Sequence, residues 1–159
     1  MQFIDLKAQY AALKGEIDAN MQDVLNDAAF IGGKYVKELE AQLAAFTGRK
    51  HCITCANGTD ALQLAFMALG VGEGDAVFAP DMTFISSTDP AAMFGAVSVF
   101  CDITPDTYNL DPASLERQIK AVLAEGKYTP KAVVAVDILG KPCDYDARSP
   151  VCDQEGLSP

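Results

Sequence analysis

The chain predicts an α/β architecture with a mainly parallel sheet, and three observations carry that reading. Short apolar runs alternate with segments of helical periodicity. The runs are apolar almost throughout, as in strands covered by helices on both faces. Glycine and proline fall at the joints between them.

From the start, Leu6, Tyr10, Leu13, Ile17, Met21, Val24 and Leu25 recur at three- and four-residue spacing, which predicts a helix within 5–29. Phe30-Ile31-Gly32-Gly33 breaks it. A second helix places Val36, Leu39, Leu43 and Phe46 on one face, with Gly48 just past its end as a C-cap. The run 51-HCITCA-56 reads as a strand, and 59–69 as a helix followed by Gly70, Gly72 and Gly74. Asp75–Ala79 is a short buried strand stopped by Pro80. Thr88-Asp89-Pro90 opens a helix that ends at Gly95, because proline is tolerated in a first turn. The run 97-VSVFCDI-103 is a further strand. Asp111-Pro112 then starts a helix carrying Leu115, Ile119, Val122 and Leu123, closed by Gly126. Finally, 132-AVVAVDIL-139 reads as a buried strand, and a weaker helical segment begins at Asp144.

At 159 residues the chain amounts to one domain or part of one. Its 22 acidic and 12 basic residues give a net charge of -10, which repels phosphate backbones and argues against nucleic acid as a partner. No run reaches the roughly 18–20 apolar residues of a membrane span. The opening MQFIDLKAQY has no basic patch followed by an apolar stretch, so a soluble cytoplasmic protein is expected. Five cysteines leave one unpaired in any disulfide scheme, and reduced thiols are expected. Cys52 and Cys55 form a C-x-x-C, but on a strand residues three apart point to opposite faces. No second C-x-x-C follows and His51 is the one histidine, so no metal site is expected.

Ligands on open parallel sheets gather beyond the carboxyl ends of the strands, which directs attention to the loops 56–60, 80–88 and 137–144. At Asn57-Gly58-Thr59-Asp60 a helix start leaves backbone N–H groups without partners and concentrates partial positive charge. Gly58 permits close approach and Thr59 adds a hydroxyl, which together suit a phosphate. The carboxylate of Asp60 repels one, so its contribution comes from its main-chain N–H. Neither a Walker loop nor G-x-G-x-x-G is present. Ordinary capping by Asn57, Gly58 or Thr59 explains the same residues. In 80-PDMTFISST-88, Phe84 either stacks on a flat heterocycle or closes the edge of the core.

Six blocks in register then matter together: IDLKAQY, FIGGKYVKELE, CANGTDALQLAFMALGVGEGD, PDMTFISS, VFCDITPDTYNLDP and AVDILGKPCDYDA. Across essentially its whole length the chain resembles the DegT/StrS family of pyridoxal-phosphate-dependent nucleotide-sugar aminotransferases. Among its members, CANGTDALQ and TYNLDP are most similar to those that aminate a 3-keto UDP-N-acetylhexosamine uronic acid.

The resemblance implies the N-terminal part of the large domain of a fold-type I transferase. Helices 1–47 would lead into a cofactor-binding portion 48–159, as a single partial domain. It implies that Thr59 and Asp60 give main-chain N–H groups to the cofactor phosphate beside Gly58, and that Phe84 stacks on the pyridine ring. Ile31, Gly32 and Gly33 would lie close to the sugar. It further implies glutamate as the usual amino donor and a homodimer. The Schiff-base lysine of the family has no counterpart in these 159 residues, whose lysines Lys127, Lys131 and Lys141 read as surface residues. A fragment inactive by itself is therefore expected, and the tail 155-EGLSP-159 with Arg148 and Pro150 departs from the family pattern, as does Pro90. Two other readings stay open: a sugar dehydratase of the same family, and a non-catalytic acidic α/β binding module.

Overall fold

A computed structural model of the chain describes residues 3–145. Arg148, Pro150, Cys152 and the tail 155–159 lie outside the described residues, as does all but the first two positions of the helical segment expected from Asp144. The chain divides into two compact units, Met1–Thr54 and Cys55–Pro159.

The first unit is built on two helices. Helix α1 spans Leu6–Asp27 and is capped by Asp5, whose side chain accepts from Ala8 N–H at 2.9 Å. Helix α2 spans Lys34–Thr47 and ends at Gly48, with the left-handed φ of 66° that glycine tolerates. Both helices show the expected spacing, yet neither contains a buried residue.

The second unit holds the sheet. Strands β1 (Asp75–Pro80), β2 (Val97–Cys101) and β3 (Thr129–Val133) lie in the order β2-β1-β3, all parallel. Helix α3 (Gly58–Leu69) precedes β1, and the short α4 (Asp89–Met93) connects β1 to β2 with Pro90 in its first turn. Helix α5 (Pro112–Glu125) connects β2 to β3. Alternation along β1 assigns its side chains to two cores. Ala76 and Phe78 pack with Leu115, Ile119 and Val122 of α5, while Val77 packs with Phe66 of α3 and Ala91 of α4. The sheet is thus covered on both faces, as the continuous apolar runs required.

Two expectations need correction. Residues 51–56 form no strand; they run irregularly, with Ile53 80% exposed. A strand exists only through hydrogen bonds to a neighbour, and among the described residues no edge receives this one. The last strand begins at Thr129 and ends at Val133, rather than occupying 132–139. Its length follows from its partner: β1 is six residues long, pairs from Asp75 to Phe78, and takes a register shift opposite Pro130 and Ala132. Beyond Val134 N–H, which donates to Phe78 O at 2.7 Å, the chain leaves the sheet.

Candidate functional site

The corner before α3 decides which backbone donors are free. Asn57 is the N-cap, its Oδ1 accepting from Asp60 N–H at 3.0 Å while its Nδ2 donates to Asp60 Oδ2 at 3.2 Å. This reciprocal closure occupies the Asp60 amide that the sequence assigned to a ligand. The amides of Gly58 and Thr59 have no hydrogen-bond partner among the described residues. Two orphan N–H groups, the Thr59 hydroxyl and the positive end of a 12-residue helix remain as the donor set. A Cβ built on Gly58 would meet nothing within 4 Å, and Gly58 is not among the glycines with a left-handed backbone. The fold therefore does not itself require glycine there, and the missing side chain leaves the approach open.

Phe84 caps the 3-10 turn Ile85–Ser87 in the loop that follows β1, and it is 73% exposed. The turn is fixed by Ser87 N–H donating to Phe84 O at 3.0 Å and by a 2.7 Å bond between the Thr83 and Ser87 hydroxyls. Helix α3 packs against this same turn, so the helix with the open end and the support of Phe84 form one packed assembly. Phe84 does not close the core, since an exposed ring has not been recruited into it.

In the third loop, Asp137 Oδ1 accepts from Cys143 N–H at 2.8 Å, and Gly140 turns with φ +78°. Asn109 Nδ2 ties this loop to the one after β2 by donating to Lys141 O and Pro142 O. That link joins segments more than thirty residues apart. In the sequence the only hint was an asparagine in a turn-forming context ahead of Asp111-Pro112.

Gly58, Thr59, Asp60 and Phe84 thus belong to one compact unit, and Ile31, Gly32 and Gly33 to the other. Ile31 is 97% exposed, Gly32 takes φ +62°, and Gly33 is the N-cap of α2. A Cβ on Gly33 would come within 3.1 Å of Ala29 O.

No cluster of three metal-ligating side chains occurs among the described residues. Cys55 is exposed, and its Sγ donates to Asn57 O at 3.3 Å. Buried Cys101 has its thiol pushed up to about 12, first by burial and then by the carboxylates of Asp102, Asp111 and Asp81. Near neutral pH, iodoacetamide is therefore expected to alkylate Cys55 and to leave Cys101 untouched until the chain is denatured. Peptide mass mapping reads this directly, and rapid labelling of Cys101 in the native chain would contradict it.

Residues 11–158 match the DegT/DnrJ/EryC1/StrS aminotransferase family. The chain belongs to that family. It is 46% identical over 159 residues to the UDP-2-acetamido-2-deoxy-3-oxo-D-glucuronate aminotransferase of Pseudomonas aeruginosa, covering 99% of this chain and 42% of that protein. Its structure superposes on a DegT DnrJ EryC1 StrS aminotransferase of Brucella abortus with a TM-score of 0.95 at 41% identity, covering 99% of this chain and 42% of that one. It also superposes on NtdA of Bacillus subtilis, solved with bound cofactor PMP, with a TM-score of 0.82 at 26% identity, over 91% of this chain and 32% of that one. The chain thus spans about two fifths or less of the length of these relatives. As a DegT/StrS family member it has the α/β fold with a parallel sheet that the sequence indicated. No helix among the described residues is long and apolar enough to cross a membrane.

Proposed function

We propose that this chain supplies the phosphate and ring-face part of a pyridoxal phosphate site in a nucleotide-sugar aminotransferase. The observation that carries the proposal is the start of α3, where the amides of Gly58 and Thr59 have no partner among the described residues and the backbone does not require a glycine. The donor set suits a phosphate dianion, because N–H groups at a helix start are permanently polarised donors. Gly58 and Thr59 would hold the phosphate through main-chain N–H groups, with Asp60 joining when Asn57 releases its amide. Phe84 would cover one face of the pyridine ring and keep water from it.

When bound, pyridoxal phosphate supplies the carbonyl chemistry by which an amino group passes from a donor to a keto sugar. The residues present bind and orient; none of the lysines here is proposed as the catalytic one, and this polypeptide alone is proposed to bind without turnover. Lys127, for example, sits over the Tyr128 ring at 4.9 Å on the surface. The 46% identity to an enzyme named for a UDP-linked keto-uronate supports a sugar of that class as the amino acceptor. Glutamate as the donor, a homodimer, a role in surface polysaccharide or glycoconjugate synthesis and a cytoplasmic setting belong to the same proposal. So does a place for Ile31-Gly32-Gly33 beside the sugar, with 1–47 leading into a cofactor-binding portion 48–159. The preference over a dehydratase is supported by the 46% identical relative, which is named an aminotransferase.

Nuclear magnetic resonance titration tests the site. Pyridoxal phosphate and inorganic phosphate are each expected to shift the Gly58 and Thr59 amides saturably. Phe84→Leu should weaken pyridoxal phosphate by about 2- to 12-fold, the effect of losing one aromatic contact, and leave inorganic phosphate unchanged. Equal losses for both ligands would remove Phe84 from the ring site.

A further inference from the structure

A cleft of about 340 Å³ lies between the loop that follows β2 and the loop that follows β3, lined in part by Thr104, Asp106, Asn109, Leu110, Lys141 and Asp144. Its volume is at the small end of ligand sites. Asn109 is 5% exposed, and its Nδ2 donates to Lys141 O at 3.1 Å and to Pro142 O at 3.0 Å. Two carbonyl partners fix which atom of the amide is nitrogen, so Oδ1 is an acceptor, and it is buried with no hydrogen-bond partner among the described residues. Buried acceptors are almost always satisfied, and one that is not asks for a donor.

The neighbouring backbone is also unusual. Tyr108 adopts φ +60°, a left-handed conformation uncommon for a bulky residue. Thr104 N–H donates to Asn109 O at 2.9 Å and Tyr108 N–H to Thr104 O at 2.8 Å, which holds that conformation in place. Strained residues of this kind collect where a site is being shaped.

The lining selects the class of ligand. An anion meets an acceptor at Asn109 and the carboxylates of Asp106 and Asp144. A cation meets Lys141, and the described residues contain no cluster of three metal-ligating groups. A purely apolar molecule leaves Oδ1 unsatisfied. A neutral molecule with several hydroxyls suits this lining: it donates to Oδ1 and the Asp106 carboxylate, and accepts from Lys141. Its C–H faces rest on Leu110, Pro112 and Pro142.

We infer that this cleft binds a small neutral polyol of monosaccharide size, with one hydroxyl donating to Asn109 Oδ1. It is separate from the phosphate corner at Gly58 and stands on its own residues. Oδ1 is closed off from bulk water, so occupation requires the two loops to part slightly.

The test is an NMR titration of the 159-residue chain with glucose and with myo-inositol through the millimolar range. Saturable shifts are expected at the Asn109 side-chain amide and at backbone amides of 104–110 and 141–144. Asp106→Ala, an exposed rim substitution that spares the core, is expected to weaken binding about fivefold or more. Thr59→Pro should leave it unchanged. The proposal is overturned if neither polyol shifts these amides, if Asp106→Ala binds as well as the parent, or if inorganic phosphate produces the same shifts. It is equally overturned by a crystal structure grown in the polyol in which a lone water occupies Oδ1.

Discussion

Thr59→Pro is expected to weaken pyridoxal phosphate and inorganic phosphate alike by about tenfold to a hundredfold or more, the cost of at least one charge-assisted hydrogen bond, because proline removes the Thr59 N–H together with its hydroxyl. Thr59 is the second residue of α3, where a backbone N–H has no intrahelical acceptor, so proline deletes a donor without breaking a helix bond. The same chain shows that the position tolerates proline: α4 carries Pro90 as its second residue and still forms. Circular dichroism is expected to show unchanged helix content, and titration to show the lost affinity. Unaltered phosphate binding would mean that the anion does not sit on this helix end.

Phe78→Ala is expected to lower the free energy of unfolding by about 3–5 kcal/mol, a large share of the roughly 5–15 kcal/mol available to a small domain. Phe78 is fully buried on the central strand β1, where it meets Leu115, Ile119 and Val133. Strand β1 hydrogen-bonds to both neighbours, so no flanking element can slide in to fill the space. A shift of the urea midpoint with little change in slope is the expected signature. A loss below about 1 kcal/mol, the size of a surface substitution, would show that β1 is not the centre of the core.

The helices were legible because their apolar spacing and their terminal glycines agree, as at Gly48, Gly70 and Gly126, all observed caps. Strands β1 and β2 were legible because each is a short run buried almost throughout or flanked by clear turn residues. The run 51–56 misled because apolar composition says that a segment prefers to be a strand, not that a partner stands beside it. Strand β3 was displaced because Thr129, Pro130 and Lys131 look unlike a strand in isolation, yet Thr129 and Pro130 pair with Asp75 and Ala76 and Lys131 falls in the register shift that follows.

At the corner, the helix start and its orphan donors followed from composition alone. Which residue capped it did not, since Asn57, Gly58 and Thr59 all serve at that position and only coordinates separate them. The engagement of the Asp60 amide was hidden for the same reason. Asn109 could not have been singled out, because its partners lie over thirty residues away.

The empty space around Gly58 has a practical consequence for anyone engineering this chain. Alanine there would meet no atom within 4 Å and, at the first position of α3, would favour the helix slightly. Any redesign scored on thermal robustness would accept the change and report an improvement. If the proposed phosphate site is right, the damage would surface only in a ligand assay, as a methyl group standing where the anion would enter.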